Sequence, residues 1–417
     1  MSPHPFRLRL RRRRATLIAA ALLAGATAAP LAVSPASATA TPPSPDGRFQ
    51  RDADAVRDTG AVGVQARVTG PFSRSTAVTS GTADLRTGAP VPANGYFRTA
   101  SNTKTYVATV VLQLAAEHRL TLDDSVERWL PGVVRGHGND GRKITLRQLL
   151  QHTSGIHDDY PGFDDAEEYE ERRFRPYSPE QLVARAMRHR PDFAPGKGWA
   201  YSNVGYMLLG MVVEKATGKP WHDEVRTRLI EPLKLRHTYY PGSSPTLRSP
   251  HARGYQHFAT APKLVDVTLL RDANASGALI ATTADLNRFY RALLGGKVLP
   301  AAQLKEMKRT VPLSEEFQEP YPGGAYGLGL MRTKLPCGGY AWGHGGDEAG
   351  YMSRNAVTGD GRHAATVSVS TEWSYSKKDM LRQHRAATKV VNRAVCASRA
   401  QDGSDGPDGP GGAARGR

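Results

Sequence analysis

The chain has 417 residues, with 56 lysines and arginines against 39 acids and a formal charge of +17. That length supports a large core, expected in two subdomains. The basic balance acts as a field favouring anionic surfaces; the arginines are dispersed rather than striped, which argues against a nucleic-acid module. Two cysteines, with no CxxC, no HExxH and no clustered His/Asp set, exclude a recognisable metal site, and no cofactor motif is present.

The N-terminus reads as an export signal. Arg11 to Arg14 form a basic region, an apolar run covers 15–29, and small residues precede an Ala-x-Ala site ending at Ala38 or Ala40. The run is short for a membrane span, so residues 1–40 are expected to be a cleaved signal peptide, through the general or the twin-arginine route. Cleavage removes six arginines and no acids, which takes the charge from +17 to +11. The expectation is a secreted protein, able to linger at an anionic cell wall, with no stable membrane span after cleavage. Its two cysteines, Cys337 and Cys396, then suggest one disulfide closing about sixty residues and contributing about 3–4 kcal/mol.

Residues 41–54 read as a linking segment, Pro-rich through 41–47 and helical from 48. A catalytic-size body spans 55–397, and the Gly/Asp/Pro/Ala/Arg-rich tail 398–417 is expected to be disordered. Alternating patterns predict strands at 62–68 and 75–81. Helical periodicity dominates 102–118, 145–151, 179–189, 203–217, 221–231, 284–294 and 301–309. Strands return at 326–330, 339–342, 350–356 and 364–370, before a closing helix over 377–395. The fold class is therefore α+β. One antiparallel sheet is built from both terminal segments (55–120 and 310–397), flanked by helices, and a mainly helical insertion covers 121–309. A cleft is expected between the sheet and the insertion.

Three stretches border that cleft. Ser101-Asn102-Thr103-Lys104 opens an apolar helix, so a hydroxyl and an amine sit one turn apart on one face. That is the arrangement of an activated serine nucleophile, although an N-cap beneath a solvated lysine has the same four letters. A second copy, Ser374-Tyr375-Ser376-Lys377, leads into a polar helix and is expected at the surface. Tyr201 and Asn203 stand on a turn before another apolar helix. A tyrosine beside cations can shuttle a proton, and the amide offers a donor and an acceptor. Finally His344-Gly345-Gly346-Asp347 forms a strand edge open to a ligand, where His344 would add positive charge or a proton.

In this order and at these separations, Ser-x-x-Lys, Tyr-x-Asn and His-x-Gly resemble the serine penicillin-recognising, β-lactamase-like superfamily. The likeness covers roughly 55–397 and is nearest to secreted D-alanyl-D-alanine carboxypeptidases of class C-type architecture. Supporting stretches are Leu149 to Gly155, 195–203 and Ala275 to Leu286, and the pair Cys337–Cys396 is similar to that subgroup's disulfide. The resemblance implies that Ser101 attacks a D-Ala-D-Ala-like bond and forms an acyl-enzyme, with Lys104 and Tyr201 moving the proton. It implies an oxyanion hole from the N–H groups of Ser101 and Asp347, with Asn203 orienting Lys104 and the acyl amide. His344 would hold the phenolate and the substrate, Gly345 and Gly346 would bind the substrate along the strand edge, and β-lactams would act as inhibitors by trapping Ser101. The family usually has Thr where Gly345 stands; Arg332, on the preceding strand, is a candidate to take over as a clamp for the substrate's terminal carboxylate, with a surface arginine as the favoured alternative. The expected function is a secreted serine DD-peptidase, acting as a monomer on peptidoglycan-type peptides. An esterase, β-lactamase or D-amino-acid amidase of the same fold is the alternative, and a non-catalytic penicillin-binding module is a third.

Overall fold

A computed structural model describes residues 45–373 and 376–403; the expected signal peptide, the end of the tail and part of the second Ser-x-x-Lys copy lie outside them. Strand β1 (Gly63–Thr69) is central because both of its faces are covered. Val64 and Ala66 are buried on one side, while the buried Gln65 is satisfied by exchanging hydrogen bonds with the Gly95 backbone at 3.0 and 3.1 Å. A short turn leads to β2 (Ser75–Asp84) and β3 (Ala89–Pro90).

The other strands come from the far end of the chain. They are β4 (Val311–Pro312), β5 (Ala325–Tyr326), β6 (Met331–Lys334), β7 (Tyr340–Gly343), β8 (Gly346–Glu348), β9 (Tyr351–Thr358) and β10 (Ala364–Val369). Their order is β4-β5-β6-β7-β9-β10-β1-β2-β3, with β8 pairing β9. Pairing of β1 with β10, from Val64 opposite Val369 to Thr69 opposite Ala364, joins the two halves as antiparallel neighbours. The α+β class and the sheet made from both termini are thus as the sequence pattern implies.

Helices cover both faces. Phe49, Ala53 and Val56 on α1 (Pro45–Arg57) and Val390, Val391 and Val395 on a C-terminal helix (Lys377–Gln401) pack against Val64, Val367 and Met352. Helix α2 (Asn102–Ala116) carries buried residues all the way round, which marks a central helix rather than an amphipathic surface one. Tyr106 on α2 stacks on Phe289 at 3.7 Å between ring centroids. Helix α3 (Asn203–Thr217) starts on the Ser202 side-chain cap and ends at Gly218, whose φ of 73° closes the last turn.

Three boundaries differ from expectation. Helix α1 begins at Pro45, inside the segment read as a linker, and the C-terminal helix runs to Gln401. The expected strand 326–330 instead breaks after Tyr326. Gly327 N–H bonds to the Leu330 carbonyl, and Gly329 takes a φ of 72°. A Cβ on Gly329 would meet the Ala108 Cβ at 2.5 Å, so this turn is pressed against α2. Cys337 and Cys396 form a disulfide with Cα atoms 5.8 Å apart, tying the β6–β7 connection to the C-terminal helix, numbered α4 below.

Candidate active site

The segment before α2 is tight. Ala100 adopts a φ of 47°, a left-handed conformation that costs a non-glycine residue energy. The N–H groups of Asn102, Thr103 and Lys104 bond to the carbonyls of Thr99, Ala100 and Ser101. With those donors satisfied by the backbone, the Ser101 side chain makes no capping bond. Its Oγ instead accepts from Lys104 Nζ at 3.0 Å. The lysine's other hydrogen bonds run to Asn203 Oδ1 at 2.7 Å and the Ser276 carbonyl at 2.9 Å.

Burial sets the lysine's chemistry. Lys104 is fully buried, and loss of hydration brings its pKa down to about 7, while Asp158, Asp272 and Glu348 pull the other way. Holding that ammonium in the core costs on the order of 5 kcal/mol when it is charged. Tyr106, Val107, Val110, Val111, Leu112 and Leu114 on the same helix are also fully buried, and together contribute on the order of 10 kcal/mol. The helix can therefore carry a strained amine at its mouth.

Tyr201 lines the cleft beside Ser101, and its ring centroid lies 4.9 Å from Lys104 Nζ. Burial raises its pKa well above the ordinary tyrosine value, with the Ser101 side chain pulling the other way, so the phenol keeps its proton. This corrects the expectation of a stabilised phenolate. His152 packs at 4.4 Å beneath it, its Nδ1 accepting from Ser202 N–H at 3.1 Å, and Phe317 stacks on the other side at 5.6 Å. Asn203 is held by Asp158, which accepts from its Nδ2 at 2.8 Å and from Val204 N–H at 3.0 Å.

Strand β8 closes the third side. A Cβ on Gly346 would lie 2.1 Å from the Thr99 carbonyl, so only glycine lets this strand approach the nucleophile's segment. The β8–β9 hairpin turns through two residues, with Glu348 opposite Tyr351 and Asp347 opposite Met352. Pairing alternates along such a ladder, so the Asp347 N–H points away from β9, off the strand's free edge.

His344 departs from its expected role. Its Nδ1 lies 2.6 Å from the Gly345 carbonyl, which only accepts, so that nitrogen carries the hydrogen. Nε2 then accepts from the Tyr326 hydroxyl at 2.8 Å. Burial, followed by the Lys104 charge, lowers its pKa to about 3. The imidazole is neutral and bonded to Tyr326 rather than to Tyr201, whose ring centroid is 6.2 Å away. Arg332 also departs. Met331 lines the cleft, so strand alternation turns Arg332 to the opposite face, where its guanidinium lies 4.5 Å over the Tyr340 ring. At Gly345 the space for a side chain is taken, since a Cβ there would meet the Tyr321 hydroxyl at 2.9 Å.

These residues enclose a cleft of about 240 Å³ whose walls include Ser101, Tyr160, Tyr201, Asn203, Phe317, Tyr321, His344, Asp347 and Glu348. No arginine or lysine is among its lining residues. Among the described residues no group of three or more potential metal ligands occurs. Asp158, His152, Tyr321, Tyr326 and Glu348 were not singled out in the sequence. Asp158 follows shortly after the Leu149–Gly155 stretch, and Glu348 directly follows Asp347, but neither carries a motif of its own.

Residues 49–390 match the Beta-lactamase family. The chain belongs to it. Among solved structures, D-stereospecific amidohydrolase from Streptomyces sp. is 42% identical, with a TM-score of 0.72 over 80% of this chain and 96% of that one. D-amino acid amidase from Ochrobactrum anthropi is 27% identical, with a TM-score of 0.73 over 86% of this chain and 99% of that one. Penicillin-binding protein 4 of Amycolatopsis lactamdurans is 32% identical over 56% of this chain and 61% of that protein. The chain spans 43–61% of the length of the first curated relatives it matches. Membership gives the chain the fold of a family that includes serine hydrolases.

Proposed function

We propose that the protein hydrolyses amide or ester bonds of D-configured amino acid derivatives through an acyl-enzyme on Ser101. The observation that carries this is the buried Lys104, its Nζ 3.0 Å from Ser101 Oγ and its pKa brought to about 7. At neutral pH a large share of it is unprotonated, as a general base requires. Lys104 Nζ takes the Ser101 proton as Oγ bonds to the substrate carbonyl carbon. The N–H groups of Ser101 and Asp347 stabilise the oxyanion, each contributing about 2.7–4 kcal/mol. Tyr201 passes its phenolic proton to the leaving nitrogen and regains one from Lys104, and the C–N bond breaks. Water then adds to the ester by the reverse path, releasing the acid and free Ser101.

The D-configured amide class is supported by the similarity to the two D-specific amidohydrolases and by the electrostatics of the cleft. A C-terminal carboxylate would find no cation on its walls, since Arg332 faces away. The Arg354 Nη1 is spent on Asp347, at 2.9 Å, and on the carbonyls of Ser353 and Gly346. D-alanyl-D-alanine carboxypeptidase activity is the second reading, favoured by the similarity to Penicillin-binding protein 4. In either case the enzyme works outside the cytoplasm, a reading supported by the N-terminal pattern and the disulfide. Turnover of D-phenylalaninamide against a D-Ala-D-Ala peptide tests the assignment: faster amide hydrolysis is expected, and activity confined to the peptide would reverse it.

A further inference from the structure

Beside the nucleophile stands a pair of carboxyl groups that the mechanism does not use. Asp272 is 7% exposed. Its Oδ1 accepts from the backbone and side chain of Asn274, whereas its Oδ2 is buried without a partner. Glu348 lines the cleft, its Oε1 accepting from Ala349 N–H at 3.2 Å. The free oxygens converge: a Cβ on Gly277 would lie 3.1 Å from Asp272 Oδ2, 3.8 Å from Glu348 Oε2 and 4.0 Å from the Ala100 carbonyl carbon. Gly277 itself lines the cleft, and Ala100 directly precedes Ser101.

Two cations act on this pair from the core side, and both are hydrogen-bonded elsewhere, while Arg172, Arg175 and Arg271 line the adjoining pocket. Arg98 donates to the carbonyls of Pro245, Thr268 and Leu270. Lys104 donates to Ser101, Asn203 and the Ser276 carbonyl. Asp272 Oδ2 and Glu348 Oε2 therefore face one point that neither Arg98 nor Lys104 reaches with a hydrogen bond, and burial together with Asp272 raises the Glu348 pKa to about 7. Buried carboxylates normally find a charged or hydrogen-bonding partner, so a donor brought by the substrate fits the vacancy. That point lies 4.0 Å from the carbonyl carbon of the residue before Ser101, which favours a substituent on the carbon next to the reacting carbonyl over a more distant part of the substrate.

We propose that Asp272 and Glu348 form the subsite for the free α-ammonium group of the acyl donor. The substrate class is then amides, esters or short peptides whose reacting carbonyl belongs to an unblocked N-terminal amino acid. This rests on the acyl-enzyme reading at Ser101 and narrows it. Acylating the nitrogen removes its charge and all but one of its donors, leaving the carboxyl pair facing a neutral amide.

The test compares D-phenylalaninamide with N-acetyl-D-phenylalaninamide on the full enzyme and on E348Q and D272N. Because both carboxyl groups also act on Lys104, the readout is the ratio of kcat/KM for the two substrates, not either rate alone. In the wild type the free amine is preferred by at least about tenfold, the scale of a hydrogen bond to a charged group, and each substitution collapses that ratio toward one. Equal turnover of both substrates by the wild type, or a ratio unmoved by E348Q, overturns the subsite. D272N replaces a buried side chain, so its fold is checked by melting, and E348Q at the cleft wall decides if it fails. Calorimetry on S101A with the same two compounds separates the two readings. Preferential binding of the free amine there supports the subsite whether or not Ser101 is the nucleophile, and equal affinity rejects it. Turnover that survives in S101A rejects the Ser101 reading alone.

Discussion

Two lysines in this chain close a Ser-x-x-Lys sequence, and only one sits where it can do chemistry. Lys104 is fully buried between Ser101, Asn203 and the Ser276 carbonyl, and lost hydration brings it to about 7. Lys377 starts a polar helix, is 66% exposed, and pairs with Glu319 at 2.8 Å, which raises its pKa. The same amine gives up its proton near neutrality in one place and is a solvated cation in the other. What differs is the neighbourhood: α2 is buried on every face, whereas α4 offers one apolar side and leaves its first turn in water.

Substitutions sharpen that contrast. Ser101→Ala should abolish turnover and covalent labelling by a fluorescent penicillin while the melting temperature barely moves; labelling at wild-type rate would remove Ser101 from the mechanism. Lys104→Met should slow acylation by at least about 10³-fold, within the range for losing a positioned base. Tyr201→Phe should cost about 10²-fold, seen in single-turnover acylation, because the phenol relays the proton rather than generating the nucleophile. Asp158→Asn, which loosens Asn203, should cost about tenfold in kcat/KM. Lys377→Ala should leave kcat/KM within about twofold, as expected for an exposed ion pair.

Stability gives an independent handle on the same lysine. The folded pKa of Lys104, about 7, lies below its unfolded value of 10.5, so between these the unfolded chain holds more protons. The penalty for burying the charge is fully present below pH 7 and fades as pH rises toward 10.5. Lys104→Met should therefore raise the melting temperature more at pH 6 than at pH 9. An equal gain at both would mean the amine is not held in a depressed state.

The parts of the site legible in the sequence are those built locally. Ser101 with Lys104, and Tyr201 with Asn203, each sit at the mouth of one helix, so spacing alone brings each pair together. The sheet was legible because strand periodicity at both ends of the chain has few ways to pair. What failed depended on distant packing. Of the two sequence readings of Arg332, strand alternation and its neighbour Met331 favour the surface one, turned toward Tyr340, and not the clamp. The sequence suggests a proton or charge donor at His344, but Tyr326 and the Gly345 carbonyl fix it as a neutral ring. The turn at Gly327–Gly329 was read as strand because its reason, contact with α2, comes from residues more than 200 positions away. Asp158, Asp272 and Tyr321 carry no pattern; their meaning arises only from what they touch.

The most direct test of the account is the rate constant for acylation of Ser101 followed against pH by intact-protein mass, with benzylpenicillin as the acyl donor. If a neutral Lys104 is the base, the rate rises from pH 5 to 9 with a midpoint near 7, and Lys104→Met shows a slow, flat profile. A wild-type rate already at its plateau by pH 5 would contradict a buried amine as the group that activates the nucleophile.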